Sequence, residues 1–93
     1  MSYELAIDPL AEREWGRLDG AVRKRFKQKL LTERLLVPRV AKDALHGSAD
    51  TYKIKITSPQ YRLAYHVDDQ ALVLTILAIS TSDDVYELLK SRK

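Results

Sequence analysis

The chain has no cysteine, and it is sparing with glycine, proline and aromatic side chains: three Gly, three Pro and 8% aromatics. Without cysteine it has neither a disulfide framework nor a thiolate metal site. The first residues, Met-Ser-Tyr-Glu, lack the basic-then-apolar order of a signal peptide. No apolar run reaches the roughly 18–20 residues of a membrane span. These absences predict a cytoplasmic protein with no membrane segment.

What is present is ordinary for a globular domain. Hydrophobic residues make up 45% of the 93 positions and charged residues 31%, which argues against disorder. The length predicts a single domain over residues 1–93. A net charge of +3 permits a nucleic-acid partner without requiring one.

The first third of the chain predicts a strand followed by two helices. Residues 3–7 read as a short strand, and Asp8-Pro9 supplies an N-cap with proline at the first helical position. Asp19-Gly20 separates this helix from a second one over residues 21–36, which Pro38 ends. So short a break predicts an antiparallel helical hairpin. Apolar stripes at helical spacing should face the core: Ala11, Trp15 and Leu18, then Val22, Phe26, Leu30, Leu31, Leu35 and Leu36.

The remainder predicts three strands and a final helix. Residues 52–56 and 61–65 alternate apolar and polar side chains, whereas residues 71–79 are apolar on both faces, as in a central strand. Hydroxyl and acidic residues at 80–84 predict the start of a helix that carries Val85 and Leu89. The order β-α-α-β-β-β-α therefore predicts an α+β fold, with helices packed on an antiparallel sheet.

Three cations should share one face of this sheet. Side chains alternate across a strand, so Lys53 and Lys55 point away from the apolar face, as does Arg62 on the next strand. A tight Ser58-Pro59 turn would place Lys55 directly opposite Arg62, and a second tight hairpin would place Thr75 opposite Arg62. Like charges facing across a ladder cost roughly 0.2–1 kcal/mol. The cluster therefore predicts a site for an anion, or else an ordinary solvent-facing basic sheet.

A second basic cluster lies on the predicted second helix. It places five cations in seven residues with no acid among them: Arg23, Lys24, Arg25, Lys27 and Lys29. Taken alone, this pattern is typical of a solvated helix face. It also suits contact with a polyanion such as RNA.

RNA cleavage at the 2′-hydroxyl is one chemistry that the cationic strands could perform. That reaction needs a base for the 2′-oxygen, cations for the crowded phosphorane and an acid for the leaving 5′-oxygen. His46 lies in a loop, and His66 lies four residues beyond Arg62, about 13 Å along the strand. A lysine can act as the base if neighbouring cations and burial lower its pKa, and Lys55 beside Arg62 suits that requirement.

At this point the chain resembles a known family, the RelE branch of the RelE/ParE toxin superfamily. The resemblance rests on the element order and on four motifs: Leu45-His46-Gly47, Tyr52-Lys53-Ile54-Lys55, Tyr61-Arg62-Leu63-Ala64-Tyr65 and Val85-Tyr86. It implies a ribosome-dependent endoribonuclease that cuts messenger RNA in the decoding site. It also implies inhibition by a cognate antitoxin, with no metal and no organic cofactor. The basic helix would then lie against ribosomal RNA.

The resemblance also implies a role for each matching residue. Lys55 would be the base or its closest helper, Lys53 would bind phosphate, and Arg62 would stabilise the transition state. Tyr86 would stack on or orient the nucleotide being cut, an interaction worth about 1–3 kcal/mol per base. Core packing of the final helix is the alternative for Tyr86.

The chain departs from the family at residues 80–84. The family usually carries a further arginine there, often assigned as the general acid, whereas this chain has Ser-Thr-Ser-Asp-Asp. Three alternatives follow. Another group, such as Arg92 or the ribosome itself, takes the acid role; activity is weak; or the protein is an impaired toxin that only binds its antitoxin.

A different function is also open, namely a ParE-like protein that inhibits gyrase. The cations at Lys53, Lys55 and Arg62 disfavour it, and the missing loop arginine favours it. An antitoxin would most simply cover exposed apolar surface. Val73, Leu77 and Ile79, on the predicted outer face of the last strand, are candidates for such cover by an antitoxin or, more simply, by the final helix.

Overall fold

The computed structural model describes residues 2–81 and 84–91. Its elements follow the predicted order: β1 (Glu4–Ile7), α1 (Pro9–Arg17), α2 (Gly20–Lys29), a π-helical turn (Leu30–Arg34), a 3₁₀ turn (Ala41–Asp43), β2 (Thr51–Ile56), β3 (Tyr61–Asp68), β4 (Val73–Ser80) and α3 (Asp84–Ser91). Asp8 caps α1 as predicted, since its Oδ1 accepts the Leu10 amide at 3.0 Å. No helix in the described ranges is long and apolar enough to cross a membrane.

The four strands form one sheet in the order β1-β4-β3-β2. The last three strands are antiparallel as predicted, and β1 joins β4 in parallel, so the sheet is mixed rather than antiparallel throughout. β4 lies between β1 and β3, which confirms the central position that its apolar sequence indicated.

The large apolar side chains lie on the sheet face that α1 and α2 cover. Phe26 and Leu30 are completely buried there against Ile54, Leu63 and Tyr65 from the sheet. Burying each side chain of this size contributes about 1.5–3 kcal/mol, so apolar burial on this face contributes strongly to the stability of the fold.

The opposite face is covered by α3. Ala64 and Ala78 present small side chains from the sheet, against which Val85 and Leu89 pack, with Leu77 partly buried beside them. Leu77 is therefore covered by the chain's own helix, as predicted. Ile79 instead lies in the core under α1 and α2, so its predicted outward position is wrong.

A β-bulge explains the position of Ile79. The register of β3 with β4 shifts between Ala64, which faces Ala78, and Tyr65, which faces Ile76. Leu77 is the extra residue, and beyond it the side chains of β4 exchange faces. Val73 lies at the start of the strand and is partly exposed.

The two hairpins differ in how well their registers could be predicted. In the first, Lys55 faces Arg62 and Ile56 faces Tyr61, as the alternation predicted. In the second, Arg62 faces Ser80, and Thr75 faces His66 instead. The tight second turn was wrong because residues 69–72 form a longer one, in which the Asp68 carboxylate accepts backbone amides at 3.0 and 3.1 Å.

The second helix also ends differently from the prediction. Regular α-helix stops at Lys29, and a π-turn follows in which the Leu35 amide bonds to the Leu30 carbonyl at 2.9 Å. The burial of the side chains at this turn also differs from the prediction. Leu31 and Leu36, predicted to be buried, are 57% and 55% exposed, and Arg34 is buried at 5% exposure instead.

Candidate functional site

Strands β2 and β3 bring three cations to one sheet face. Lys53 faces Ala64 and Lys55 faces Arg62, so all three charged side chains share the face that carries Ala64. The carbonyls of Thr51 and Lys53 point away from β3, because they accept hydrogen bonds from Leu45 and Arg34. By alternation, Lys55 and Arg62 form a non-hydrogen-bonded pair, in which the Cα atoms lie about 4.5 Å apart. The two cations therefore occupy the closer kind of cross-strand position.

The three cations differ in their surroundings. Arg62 is only 7% exposed, and its Nη1 donates to the Tyr61 carbonyl at 3.2 Å. Lys53 is half-buried, whereas Lys55 is exposed. The site thus combines a held guanidinium with a solvent-facing amine. The chain alone does not supply the burial that a lysine base requires.

Tyr86 lies on α3 against the loop that precedes β2. Gly47 there has φ +86°, and a Cβ at this position would lie 2.7 Å from the Tyr86 hydroxyl oxygen. The Lys90 ammonium lies 4.7 Å from the centre of the Tyr86 ring. Tyr86 is half-buried, so it is neither a core residue nor fully free. Its nucleotide-stacking role stays a prediction.

Neither histidine joins the cationic cluster. His46 is exposed, and His66 is half-buried four residues from Arg62. His66 lines a cavity of about 290 Å³ beside Thr51, Leu77 and Leu89. Within residues 2–81 and 84–91, no group of three or more His, Asp and Glu side chains is placed to hold a metal ion.

The five cations of α2 divide into two groups. Arg23 donates to the Leu18 carbonyl at 2.6 Å and so satisfies the end of α1, while Arg25 donates to the Thr57 carbonyl at 2.7 Å in the β2–β3 turn. These two side chains support the fold. Lys24 and Lys27 are exposed and Lys29 is half-buried, so the lysines are the members available to a partner.

A polar recess connects the end of α2 to the cationic strands. Its volume is about 410 Å³, and its lining combines four cations with two acids and one apolar residue: Lys29, Arg34, Lys42, Lys55, Glu33, Asp43 and Val40. The Arg34–Asp43 ion pair, at 2.7 Å, neutralises one of the acids. The remaining lining has a positive balance that suits a phosphate group.

Arg34 is the residue of this region that the sequence analysis missed. A signal was available, because Arg34 lies four positions after Leu30 on an otherwise apolar stripe. Its guanidinium donates to the Lys53 carbonyl and the Tyr65 hydroxyl, both at 3.0 Å, besides pairing with Asp43. Burial alone would lower the pKa of Arg34, but the bonds to Tyr65 and Asp43 outweigh it and the pKa is raised. The charge is therefore permanent.

The loop before α3 is described at its start, Ser80 and Thr81, and again from Asp84. Ser82 and Asp83, where the family arginine was expected, lie outside the described residues, as does Arg92. Ser80 is half-buried beside Arg62 in the sheet, and α3 begins at Asp84. The segment that lacks the usual cation is therefore anchored next to the three cations at its start.

Comparison with known proteins identifies the family. The model for the ParE toxin of type II toxin–antitoxin systems matches residues 5–86. The mRNA interferase toxin RelE of Escherichia coli K12 is 40% identical over 79 residues, which are 85% of this chain and 82% of that protein. The chain is a RelE-type toxin of the RelE/ParE superfamily.

Solved structures of RelE toxins share the fold of this toxin. The intact E. coli RelBE toxin–antitoxin complex gives a TM-score of 0.82 at 38% identity, covering 88% of this chain and 99% of that one. Free E. coli RelE with two arginines replaced by alanine gives 0.88 at 37% identity, covering 99% and 98%. The α+β architecture and the position of the cationic strands therefore belong to a RelE-type scaffold.

Proposed function

We propose that this toxin is the messenger RNA endoribonuclease of a type II toxin–antitoxin system and cuts its substrate in the ribosomal decoding site. The observation that carries the proposal is the register of β2 with β3, which places Lys53, Lys55 and Arg62 on one face. A phosphodiester suits this arrangement because its charge calls for several convergent cations. The E. coli relative at 40% identity is named an mRNA interferase.

The cleavage step assigns a role to each of the three cations. The ribose 2′-oxygen attacks the adjacent phosphorus, the bond to the 5′-oxygen breaks, and a 2′,3′-cyclic phosphate forms. Lys55 takes the 2′ proton or helps the group that does, Lys53 binds the phosphate, and Arg62 stabilises the phosphorane through its planar fork. Because Lys55 is exposed, messenger RNA and the ribosome must cover it to make it an effective base.

Tyr86 is proposed to stack on or orient the nucleotide at the cut. The Lys90 ammonium is near its ring, so a base must use the other ring face or displace that ammonium. Either arrangement keeps the aromatic contact beside the sheet face that holds the cations, because α3 packs on Ala64 and Ala78.

The departing 5′-oxygen needs a proton from a general acid. Residues 80–84 carry hydroxyls and acids and no cation. We propose that the acid role falls to another group, such as Arg92 or the ribosome itself, and that the toxin is slower than a relative with the loop arginine. Removing one transition-state donor typically costs about 10²–10³ in rate.

The proposed partners follow from the same surfaces. The E. coli RelE relative is seen in complex with its antitoxin, and we propose a cognate antitoxin as the regulator of this toxin. Lys24, Lys27 and Lys29 would contact ribosomal RNA, because they lie on one helix and are not held in the fold by any ion pair with a described residue. Ribosome binding should then weaken steeply with salt.

Primer extension on translating ribosomes tests the proposal. The wild-type toxin should produce codon-dependent cuts, and Lys55→Ala should abolish most of them. Arg13→Ala is the matched control, since it removes an exposed cation from α1 and should leave the cuts unchanged. Retained antitoxin binding would show that each variant is folded.

A second candidate function has two observations in its favour. The matching family model is described as a ParE toxin, and the loop cation is missing. Inhibition of DNA supercoiling by the wild type, with no cuts in messenger RNA, would replace the nuclease proposal with gyrase inhibition. Absence of both activities with tight antitoxin binding would indicate an impaired homologue.

A further inference from the structure

Strand β2 lies at the edge of the sheet, and donors from elsewhere in the chain, one backbone amide and two arginine side chains, bond to its outer carbonyls. The Thr51 carbonyl accepts the Leu45 amide at 2.9 Å, and the Thr57 carbonyl, just beyond the strand, accepts Arg25 Nη1 at 2.7 Å. Between them, the Lys53 carbonyl accepts Arg34 Nη1 at 3.0 Å. An edge strand has hydrogen-bonded neighbours on one side only, so these bonds replace the missing strand.

The bond to Lys53 comes from the most buried of these donors. Arg34 is 5% exposed, and its guanidinium also bonds to Tyr65 and Asp43. The Tyr65 hydroxyl in turn donates to the Pro38 carbonyl at 2.5 Å. The planar guanidinium of Arg34 thus joins the π-turn, the 3₁₀ turn and β3 to the backbone of β2. A flexible lysine could not make these bonds in a fixed geometry.

The position of the Lys53 backbone bears directly on the proposed chemistry. Lys53 and Lys55 lie on the same face of the strand, two residues apart, and Arg62 projects from the neighbouring strand. A displacement of β2 away from β3 would move both amines relative to the guanidinium. Misplacement of reacting groups by about 1 Å can cost about 10²-fold in rate. A buried clamp at Lys53 is therefore placed to affect catalysis without contacting the substrate.

The clamp coincides with a π-turn at the end of the second helix. Over Leu30–Arg34 the helix is π-helical, with i→i+5 hydrogen bonds in place of the i→i+4 bonds of the α-helix before it. π-turns are rare, and they occur frequently at functional sites. Here Arg34 lies on the inward side of the turn, four positions after Leu30, while Leu31 and Leu36 are exposed. Apolar burial is given up at the same place where the arginine reaches β2.

We propose that Arg34 is a positioning residue of the cleavage site, holding the Lys53 backbone at the outer edge of β2 so that Lys53 and Lys55 stay aligned with Arg62. The inference rests on the proposed nuclease function for its kinetic consequence. Its structural consequence, a β2 backbone held at Lys53 by the Arg34 guanidinium, can be measured without any substrate.

The test compares Arg34→Lys with Tyr65→Phe in the full-length toxin. Arg34→Lys keeps the charge but loses the Nη1 bond to the Lys53 carbonyl, whereas Tyr65→Phe removes a neighbouring bond in the same network and leaves the Lys53 bond in place. Both variants disturb the same buried polar network, so we expect them to lose similar amounts of stability. The melting temperatures of the two variants check that they are matched. A merely structural role for Arg34 predicts equal losses of activity in the two variants.

The positioning role predicts unequal losses. Arg34→Lys should lower kcat on programmed ribosomes by about 10²-fold with KM unchanged, because the misplacement acts on the chemical step. Tyr65→Phe should stay within about threefold of the wild type in kcat. Equal kcat values for the two variants at matched stability would overturn the proposal.

Amide hydrogen exchange separates failure of this inference from failure of the nuclease function. Arg34→Lys should speed exchange at Ile54 and Ile56, which pair with β3, by about tenfold or more relative to Tyr65→Phe. Unchanged exchange would overturn the inference even if the wild type cuts messenger RNA. A wild type that makes no cuts, with exchange accelerated as expected, would overturn the nuclease function and leave the clamp established.

Discussion

The two faces of the sheet use the same strands for different purposes. The face under α1 and α2 carries Ile54 and Tyr65, which pack in one core with Phe26 of α2, and all three side chains are completely buried. The face under α3 carries two alanines in its apolar part and three cations beside them. Alternation along β2 and β3 makes this possible, because each residue belongs to one face only.

The difference shows where stability and activity can be separated. Substitutions on the first face remove buried apolar volume and should reduce the free energy of unfolding. Substitutions of exposed cations on the second face should leave that free energy within about 0.5 kcal/mol of the wild type. The predictions below test how complete this separation is.

Phe26→Ala should have the largest effect on stability. The side chain is completely buried, and truncating a buried phenylalanine costs about 3–5 kcal/mol. Urea unfolding followed by circular dichroism measures the loss. Lys55→Ala is the matched variant from the other face and should unfold at the wild-type urea concentration. A comparable loss for both would show that the two faces are not separable.

Arg62→Met should have the largest effect on activity. Loss of one transition-state donor costs about 10²–10³ in rate, or about 2.7–4 kcal/mol of barrier. Methionine retains the length of a side chain that is 7% exposed, so packing is largely preserved. Single-turnover cleavage on ribosomes gives the rate. Wild-type cleavage by this variant would remove Arg62 from the proposed mechanism.

Ser82→Arg tests whether the missing loop arginine limits cleavage by this RelE-type scaffold. If this position limits the chemistry, the substitution should raise the cleavage rate by up to about 10²-fold. Ser82→Lys is a charge-matched control without the planar fork. Equal rates for the wild type and Ser82→Arg would mean that the loop position does not limit catalysis.

The residues show what the sequence could and could not predict. Alternation in residues 52–56 and 61–65 predicted that Lys55 faces Arg62, because only one register keeps both apolar faces in the core. It did not predict that β1 joins β4 in parallel. The two-residue alternation along a strand specifies which face a side chain occupies, but not which strand pairs with it.

The misses come from local irregularities that residue type does not specify. The bulge at Leu77 moved Ile79 to the other face, and the four-residue turn replaced Thr75 with Ser80 opposite Arg62. At the π-turn, Leu31 is exposed and Arg34 is buried in place of an apolar side chain. Each of these adds a residue or more to a regular period, so a single insertion in the geometry changes every assignment that follows it.

Gly47→Ala should disturb the junction between α3 and the loop before β2. The position has φ +86°, and the new Cβ would lie 2.7 Å from the Tyr86 hydroxyl oxygen, so a loss of about 1–2 kcal/mol is expected. Gly16→Ala is the control, since nothing lies within 4 Å of that Cβ. It should instead stabilise α1 by about 0.5–1 kcal/mol. Differential scanning calorimetry should therefore show melting shifts of opposite sign.

The smallest effect is expected at an exposed network beside the β3–β4 turn, which belongs to neither packed face. The Tyr3 hydroxyl and Arg39 both donate to the Asp69 carboxylate, at 2.5 and 2.8 Å. The hydrogen bond from Tyr3 and then the hydrogen bond from Arg39 lower the pKa of Asp69, while the bond between Tyr3 and Asp69 raises the pKa of Tyr3.

Because of these two pKa shifts, the network should stabilise the fold at intermediate pH and lose that effect at both low and high pH. The Asp69 contribution is present above its unfolded pKa of about 3.9 and is lost as the pH falls through the lower folded value. The Tyr3 contribution is present below about pH 10 and is lost as the pH rises through the raised folded value. Tyr3→Phe should remove the alkaline loss, and Arg39→Gln should reduce the acid one. Urea midpoints measured from pH 2 to 11 would reveal both effects, and identical profiles for Tyr3→Phe and the wild type above pH 9 would show that this bond does not stabilise the fold.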